Sequence, residues 1–368
     1  MKRLIYIFLL AAVFTANAAE KPKASFAWDV DFETRFDNRE FAHSSFTPSM
    51  TIFGARLTPQ AGLELREGNG AIHRLMAGVD VMKDFGSANT LDVFSEITMY
   101  YNLHRKISKT EMEIYAGIFP RKAMEGSWSQ AFFSDSLKFY DNNLEGLLLK
   151  FRRPQAYFEV GCDWMGQYGV TRREKFMVFS AGEGKVLPFM SLGYAAYMLH
   201  YANSKTVKGL IDNILANPYA RFDFADMAQL QILSLRVGWL QAMQRDRKHV
   251  GVFIFPFGGE FDQEVRNWNV GVHNKMFFGY DMMPYYYGVD EGGFRYGPDL
   301  YYGDPFYRVH DDGKTGAGFY DRLEIYYEPR IADFLSLKVS ALFHFNGMRY
   351  SGCQQMVGLN FNLNELIR

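Results

Sequence analysis

Between Phe26 and Glu33, apolar and polar side chains alternate without interruption: Phe26, Trp28, Val30 and Phe32 against Ala27, Asp29, Asp31 and Glu33. Successive side chains of a strand point to opposite faces, so this spacing makes one apolar face and one polar face. The period recurs along the chain. Phe53, Ala55, Leu57, Leu63 and Leu65 oppose Arg56, Thr58, Gln60 and Glu64, and Leu75, Ala77, Val79 and Val81 oppose Arg74, Gly78 and Asp80. Val93 to Leu103, Met112 to Ile118, Phe158 to Trp164, Leu335 to Phe345 and Val357 to Leu363 repeat it.

A soluble sandwich alternates as well. Three features separate this chain from one. Its alternating runs reach about 10 to 12 residues, against a usual strand of about 5 to 6 and the roughly 9 to 11 that cross an outer membrane at a tilt. Aromatics such as Trp28, Tyr101, Trp164, Trp239 and Trp268 fall at or near run ends, as in interfacial girdles. The polar face carries charges of both signs, which a dry sandwich interior cannot hold and a water-filled lumen can. The fold expected is all-β: a transmembrane antiparallel β-barrel.

Connections set the strand count. Short turns are expected at Arg66 to Ala71, His104 to Lys109, Arg152 to Gln155, Gly182 to Lys185, Arg245 to Lys248 and Pro329 to Asp333. Long connections, read as extracellular loops, are expected at Asp37 to Ser49, Arg121 to Asn142, Asn203 to Met227, Phe257 to Glu264 and Asp281 to Ala317. Their alternation gives an even number of strands, about 16 with 14 to 18 allowed. The stretch Val265 to Tyr280 reads as two short strands split at His273 to Lys275. Val207, Leu210, Ile211, Ile214 and Leu215 keep a 3.6-residue period, which predicts a short helix over Val207 to Asn217.

Composition narrows the rest. Lys plus Arg number 40 and Asp plus Glu 41, a formal charge of −1, so the chain lacks the basic excess that nucleic-acid binding needs. Two cysteines exclude a disulfide scaffold and a multi-cysteine zinc site. Lys2 and Arg3, the apolar run Leu4 to Phe14, and the small residues Ala16 and Ala18 have the form of a signal peptide over residues 1–18, cleaved after Ala18. Residues 19–368 then form a single outer-membrane barrel, with no later apolar run long enough for a membrane helix.

By register, the inward, lumen-lining charges are Asp31, Glu33, Arg35, Arg56, Glu64, Arg74, Asp80, Glu96, Glu113, Lys150, Glu159, Asp163, Arg236, Arg322, Glu324 and Lys338. The connection from Arg121 to Asn142 carries Trp128, Phe132, Phe133, Phe139 and Tyr140, too apolar to stay in solvent. It is expected to fold into the lumen, placing Arg121 near Asp135 and Asp141 at a constriction. Eight histidines are scattered with no His-x-His or His-x-x-x-His pair, and neither metal nor cofactor is expected. His43 and Ser45 have the spacing of a His-Ser pair on one strand face, but they fall in a predicted loop with no orienting carboxylate in register. There is no Gly-x-Ser-x-Gly elbow, phosphate loop or dinucleotide fingerprint.

The chain therefore reads as a non-enzymatic, porin-like channel for passive diffusion of small hydrophilic solutes. Its partners would be outer-membrane lipid, those solutes and the assembly machinery, with homo-oligomers open to it. One alternative is a surface-exposed barrel that binds glycan or protein through aromatic loops, since Tyr285, Tyr286, Tyr287, Phe294, Tyr296, Tyr301, Tyr302, Phe306 and Tyr307 crowd one connection. A second is a barrel enzyme acting on lipid or lipopolysaccharide.

Four stretches carry a family resemblance: Gly117-Ile118-Phe119-Pro120-Arg121 with Phe132-Phe133-Ser134-Asp135-Ser136, Phe278-Gly279-Tyr280 with Met283-Pro284-Tyr285-Tyr286, Tyr320-Asp321-Arg322-Leu323-Glu324 with Glu328-Pro329, and Ser351-Gly352-Cys353-Gln354-Gln355. On these the chain resembles Bacteroidetes-type outer-membrane β-barrel proteins described as porin-like. The resemblance extends over essentially all of residues 19–368 and implies the barrel fold and the outer membrane.

Overall fold

The computed structural model describes residues 23–42, 44, 46–87, 94–290, 292–310 and 315–364. The segment read as a signal peptide, and His43 and Ser45, lie outside the described residues. The strands are β1 (Lys23–Phe41), β2 (Met50–Arg66), β3 (Ile72–Asp84), β4 (Phe94–Ile107), β5 (Thr110–Pro120), β6 (Asn143–Arg153), β7 (Ala156–Gly166), β8 (Lys175–Leu187) and β9 (Met190–Tyr201). They continue as β10 (Ile211–Asp223), β11 (Ile232–Asp246), β12 (Phe257–Asn267), β13 (Val270–Gly279), β14 (Gly318–Tyr327), β15 (Arg330–Ala332), β16 (Leu335–Asn346) and β17 (Arg349–Asn362). Each pairs antiparallel with its neighbour, and β1 pairs with β17 to close the sheet. The three-residue β15 only flanks β16, and β14 pairs with β16 directly, so sixteen strands make a closed wall.

The wall inverts the burial order of a soluble protein. Phe26, Leu63, Leu75 and Tyr101 lie side by side across β1 to β4 and are exposed, Phe26 by 70%. On the other face, Arg56, Glu64, Asp80 and Asn102 are buried. Apolar side chains facing outward and polar ones facing inward fit a hydrocarbon surround. Closure pairs every wall strand on both sides, which leaves no open sheet edge in lipid.

The structure corrects several expected boundaries. No helix forms at Val207 to Asn217, because β10 begins at Ile211. Ile211, Asn213, Leu215, Asn217 and Tyr219 form its buried row, and pairing to β9 and β11 takes its backbone groups. The helical spacing of Ile211, Ile214 and Leu215 came from apolar residues on both faces of one strand. Phe257 to Glu264 is strand, since Phe261 and Val265 face out while Glu260 is buried opposite them. The hairpin turn falls at Trp268 and Asn269, with φ of 49° and 65°, and not at His273 to Lys275. Such a two-residue turn follows the twist of its flanking strands without glycine. Gly182 to Lys185 lies inside β8, and the turn comes at 188–189. Asp37 to Phe41, expected to begin a loop, extends β1.

The interior is not a uniform water column. Inward positions on β6 and β8 to β14 include Leu148, Met177, Phe179, Leu199, Ile211, Leu240 and Phe277, all nearly inaccessible. Segments 121–142 and 280–317 contribute Phe132, Phe133, Leu300, Phe306 and Tyr307 to the same core. A wall of this size encloses more space than its own side chains fill, and these segments occupy the remainder.

Because a one-residue slip would reverse every side chain, the register is directly testable. Nitroxide labels replacing Val30 and Asp31 in proteoliposomes should be quenched preferentially by oxygen and by a water-soluble nickel chelate, respectively. The opposite ordering would refute this register.

Candidate functional site

Segment 121–142 leaves β5 through a 3₁₀ turn at Arg121–Ala123. The buried Arg121 guanidinium donates to the carbonyls of Asp141 and Asn143, each at 3.0 Å, and so ties the two ends of the segment together. It also pairs with the carboxylates of Asp141 at 3.2 Å and Asp163 at 3.4 Å. Between these ends the backbone N–H groups of Glu125 and Gly126 and the indole of Trp128 all donate to Glu159 on β7. Arg221 donates to Ser127 Oγ, and Arg236 donates to the Ser127 carbonyl. The segment thus spans the lumen from β5 to β11.

Its last turn is the helix Asp135–Tyr140, capped by Ser134 Oγ, which accepts from the Leu137 N–H at 3.1 Å. Asp135 faces β14, where Arg322 holds its carboxylate at 3.0 Å, and Arg35 of β1 donates to its carbonyl at 2.6 Å. Phe139 packs beneath the guanidinium groups of Arg35 and Arg56.

Where the helix meets the end of β1, a buried ionic cluster forms. Asp37 is wholly buried and accepts from Arg35 at 3.3 Å, Arg39 at 2.8 Å and Gln354 of β17 at 2.9 Å. Gln354 in turn meets His344 Nε2 at 2.8 Å, and His344 Nδ1 meets the Tyr320 hydroxyl at 3.0 Å. Arg39 also donates to Ser136 Oγ at 2.8 Å. These groups border a cavity of about 380 Å³ lined by Arg35, Arg39, Ser134, Ser136, Asp135 and Arg322, with Phe41, Phe46, Tyr286, Tyr301, Tyr302 and Phe306 around them. Fixed guanidinium forks next to hydroxyls suit an anionic or carbonyl oxygen, and the aromatic wall suits an apolar chain.

A sequence model of the lipid A 3'-O-deacylase-type family matches residues 18–202, just over half of the 368. The chain belongs to this family. The matched stretch contains β1 to β9 and so holds Arg35, Asp37, Arg39 and the whole of segment 121–142. No curated protein sequence matches the chain. Among solved structures, in-vitro folded OmpT, an outer-membrane protein of Vibrio cholerae, is 7% identical with a TM-score of 0.50, over 95% of this chain and 99% of that one. A loop L8 deletion mutant of the same protein is 8% identical with a TM-score of 0.50, over 92% and 99%. A triple mutant of the Rhodopseudomonas blastica porin is 12% identical with a TM-score of 0.46, over 92% and 100%. The OmpT likeness bears on the fold. The molecule is an outer-membrane β-barrel.

Family membership corrects the expectation of a non-enzymatic protein, because the matching family is one of deacylases. That expectation sets His43 and Ser45 aside because they fall in a predicted loop with no orienting carboxylate in register, and both lie outside the described residues.

The residues singled out from sequence are distributed as follows. Arg56 pairs with Asp80 at 3.2 Å, Glu64 with Arg74 at 2.7 Å, and Glu113 with Lys150 at 2.6 Å. Arg236 pairs with Glu260 at 3.1 Å, and Glu324 with Lys338 at 2.8 Å. Glu96 accepts from Asn143, Asp31 pairs with Lys122, and Glu33 lies opposite Arg56 in the β1–β2 ladder. Arg121 meets Asp141 and Asp163, whereas Asp135, expected beside Arg121, pairs with Arg322, since the helix turns it toward β14. The aromatic connection also turns inward: Tyr296, Tyr301, Tyr302, Phe306 and Tyr307 are buried, and Tyr287 and Phe294 are exposed. Sequence reasoning missed Asp37, Arg39, Ser136, His344 and Gln354 as one group. Extending the odd-numbered inward row of β1 past Arg35 would have reached the first two.

Burial alone would raise the pKa of Asp135, but Arg322, Lys138, Lys275 and Arg35 outweigh it and hold the group below the ordinary carboxylate range. A depressed folded pKa contributes stability above the unfolded value of about 4, and that contribution is lost as the pH falls through the folded value. Asp135→Asn should therefore lower the temperature of the heat-modifiable gel shift by about 2 to 4 °C at neutral pH. The difference from wild type should hold down to about pH 5 and shrink only below about pH 4. A difference that vanished already between pH 7 and 5 would contradict the Arg322 clamp.

Proposed function

We propose that the chain is an outer-membrane hydrolase that removes an ester-linked acyl chain from lipid A or a closely related glycolipid. The observation that carries this reading is the family match, which falls on the strands and the crossing segment that build the Arg35–Asp37–Arg39–Ser136 wall. In ester hydrolysis, water adds to the acyl carbonyl, the carbonyl oxygen gains negative charge, and the bond from the acyl carbon to the sugar oxygen breaks, giving a carboxylic acid and, once that oxygen takes a proton, a sugar hydroxyl. Donors fixed in a partly dry site stabilise that developing charge without reorganising. Asp37 supplies the fixing, because it holds Arg35 and Arg39 from beneath. Ser136 accepts from Arg39, which leaves its own O–H to donate toward a bound ester. Phe41, Phe46, Tyr286 and Phe306 form the apolar surface beside these donors.

The end of the barrel bearing 121–142 and 280–317 is placed at the outer leaflet in this reading, where the acyl chains of such a glycolipid would lie. Purified protein incubated with lipid A in detergent micelles should release one ester-linked chain, seen by mass spectrometry as a single-acyl mass loss. Arg39→Gln and Ser136→Ala should slow release about a hundredfold, the usual scale for one lost transition-state donor, while keeping the heat-modifiable shift. Lipid A left intact by the folded wild-type protein would end the proposal.

A further inference from the structure

A second cavity lies apart from the cluster described above. It is walled by the connection 167–174, the connection 202–210 and part of segment 280–317, and encloses about 540 Å³. The two shorter connections are stitched together: Lys205 N–H donates to the Gly169 carbonyl at 2.9 Å, and Thr206 Oγ1 to the Val170 carbonyl at 2.7 Å. The wall is therefore formed before any ligand arrives.

Its inner charges are fixed. Arg173 is held by the buried carboxylate of Asp290, by the Ala202 carbonyl at 3.1 Å, and over the Tyr201 ring at 5.1 Å. Lys175 lies 3.9 Å from Asp299 and 5.5 Å from the centre of the Tyr302 ring. Two further cations, Arg172 and Arg295, line the cavity with exposed side chains, and no described carboxylate is within ion-pair distance of either. Among the described lining residues, four cations face two carboxylates, an excess of two positive groups on the lining. Phe294, 70% exposed, adds an aromatic face at the same cavity.

The geometry points to a binding site for a phosphorylated sugar. A phosphate monoester carries about −1.5 to −2 charge at neutral pH, which matches the surplus. Arginine forks suit phosphate oxygens, and an exposed aromatic face suits the apolar side of a sugar ring. The volume fits a group of one or two sugars. The site stands on the cavity alone and does not depend on the hydrolase reading. The phosphate could belong to a soluble sugar phosphate or to a glycolipid headgroup.

Calorimetric titration of the whole barrel in detergent with glucose 1-phosphate, and of the barrel in phosphatidylcholine nanodiscs with and without diphosphoryl lipid A, separates the two sources. Binding in both settings supports a general sugar-phosphate site, and binding only to the lipid-borne form supports a headgroup site. In either case Arg172→Gln combined with Arg295→Gln should weaken binding at least tenfold at low salt. Lys109→Gln, at a turn of the opposite end, should leave binding unchanged. Phosphate-independent binding, no binding at all, or full affinity in the double variant would overturn the site. Binding is read without turnover, so intact lipid A together with arginine-dependent binding would remove the hydrolase reading and leave this site standing.

Discussion

A closed wall of sixteen strands satisfies its own backbone hydrogen bonds and leaves a lumen wider than its inward side chains can fill. How that space is filled decides the rest of the structure. On the side built by β6 and β8 to β14, the inward rows are apolar enough to receive the aromatics of two crossing segments. On the side built by β1 to β4 they remain charged. Charge inside a partly filled barrel is costly unless matched, and the matching is local: Arg56 with Asp80, and Glu113 with Lys150, lie on adjacent strands. Removing one partner would leave the other buried and uncompensated, so these pairs constrain which side chains the wall accepts.

The two crossing segments depend on each other as much as on the wall. Ser134 N–H donates to the Tyr302 carbonyl, and Asp304 N–H donates to the Gln130 carbonyl, both at 2.8 Å. The hydroxyls of Ser129 and Tyr307 both donate to Glu260. The loop-end cavity is therefore composite. Arg35, Arg39 and Ser136 come from the part of the chain that matches the deacylase-type family, while Tyr301, Phe306, Arg322 and Gln354 come from the part that the match does not reach. The two parts are coupled, because Gln354 donates to Asp37 and Arg322 holds Asp135.

The periodic part of the fold was legible because period two is written in residue type. Phe26 to Glu33 announces both the strand and its register. The signal failed where a strand carries apolar residues on both faces, as at Ile211 to Leu215, and where glycine opens a strand, as at Gly258 and Gly259. Segment 121–142 states through Trp128, Phe132 and Phe133 that it must be buried, but not against what. Arg121 and Asp141 stand twenty positions apart and meet because both ends of the segment return to adjacent strands β5 and β6. Asp135 finds Arg322 across the barrel, a contact that no local pattern encodes. The Asp37 cluster was hidden for a similar reason. Arg39 and Gln354 are 315 positions apart, and only closure of β1 on β17 makes them partners in the ladder.

A barrel shared with proteins at 7% identity says little about chemistry, which resides in what the lumen holds. Here segment 121–142 borders three cavities, one of them about 430 Å³ and lined by Gln130, Asp135, Lys138 and Phe139 together with Lys275 and Lys338. Lys122, beside Asp29 and Arg74, lines one of about 770 Å³ toward the turn end, and Ser134, Asp135 and Ser136 line the one of about 380 Å³ toward the loop end. The crossing residues between these two are pinned by Glu159, Arg221 and Arg236 on three different strands, so displacing them means breaking several buried polar contacts at once. On the side of β1 and β14, Arg35, Asp135 and Arg322 line both the loop-end cavity and the third one, which continues toward Ser336 and Asn360. Segment 121–142 thus divides the lumen unevenly, by buried polar contacts on the side of β7, β10 and β11 and by paired charges on the side of β1 and β14.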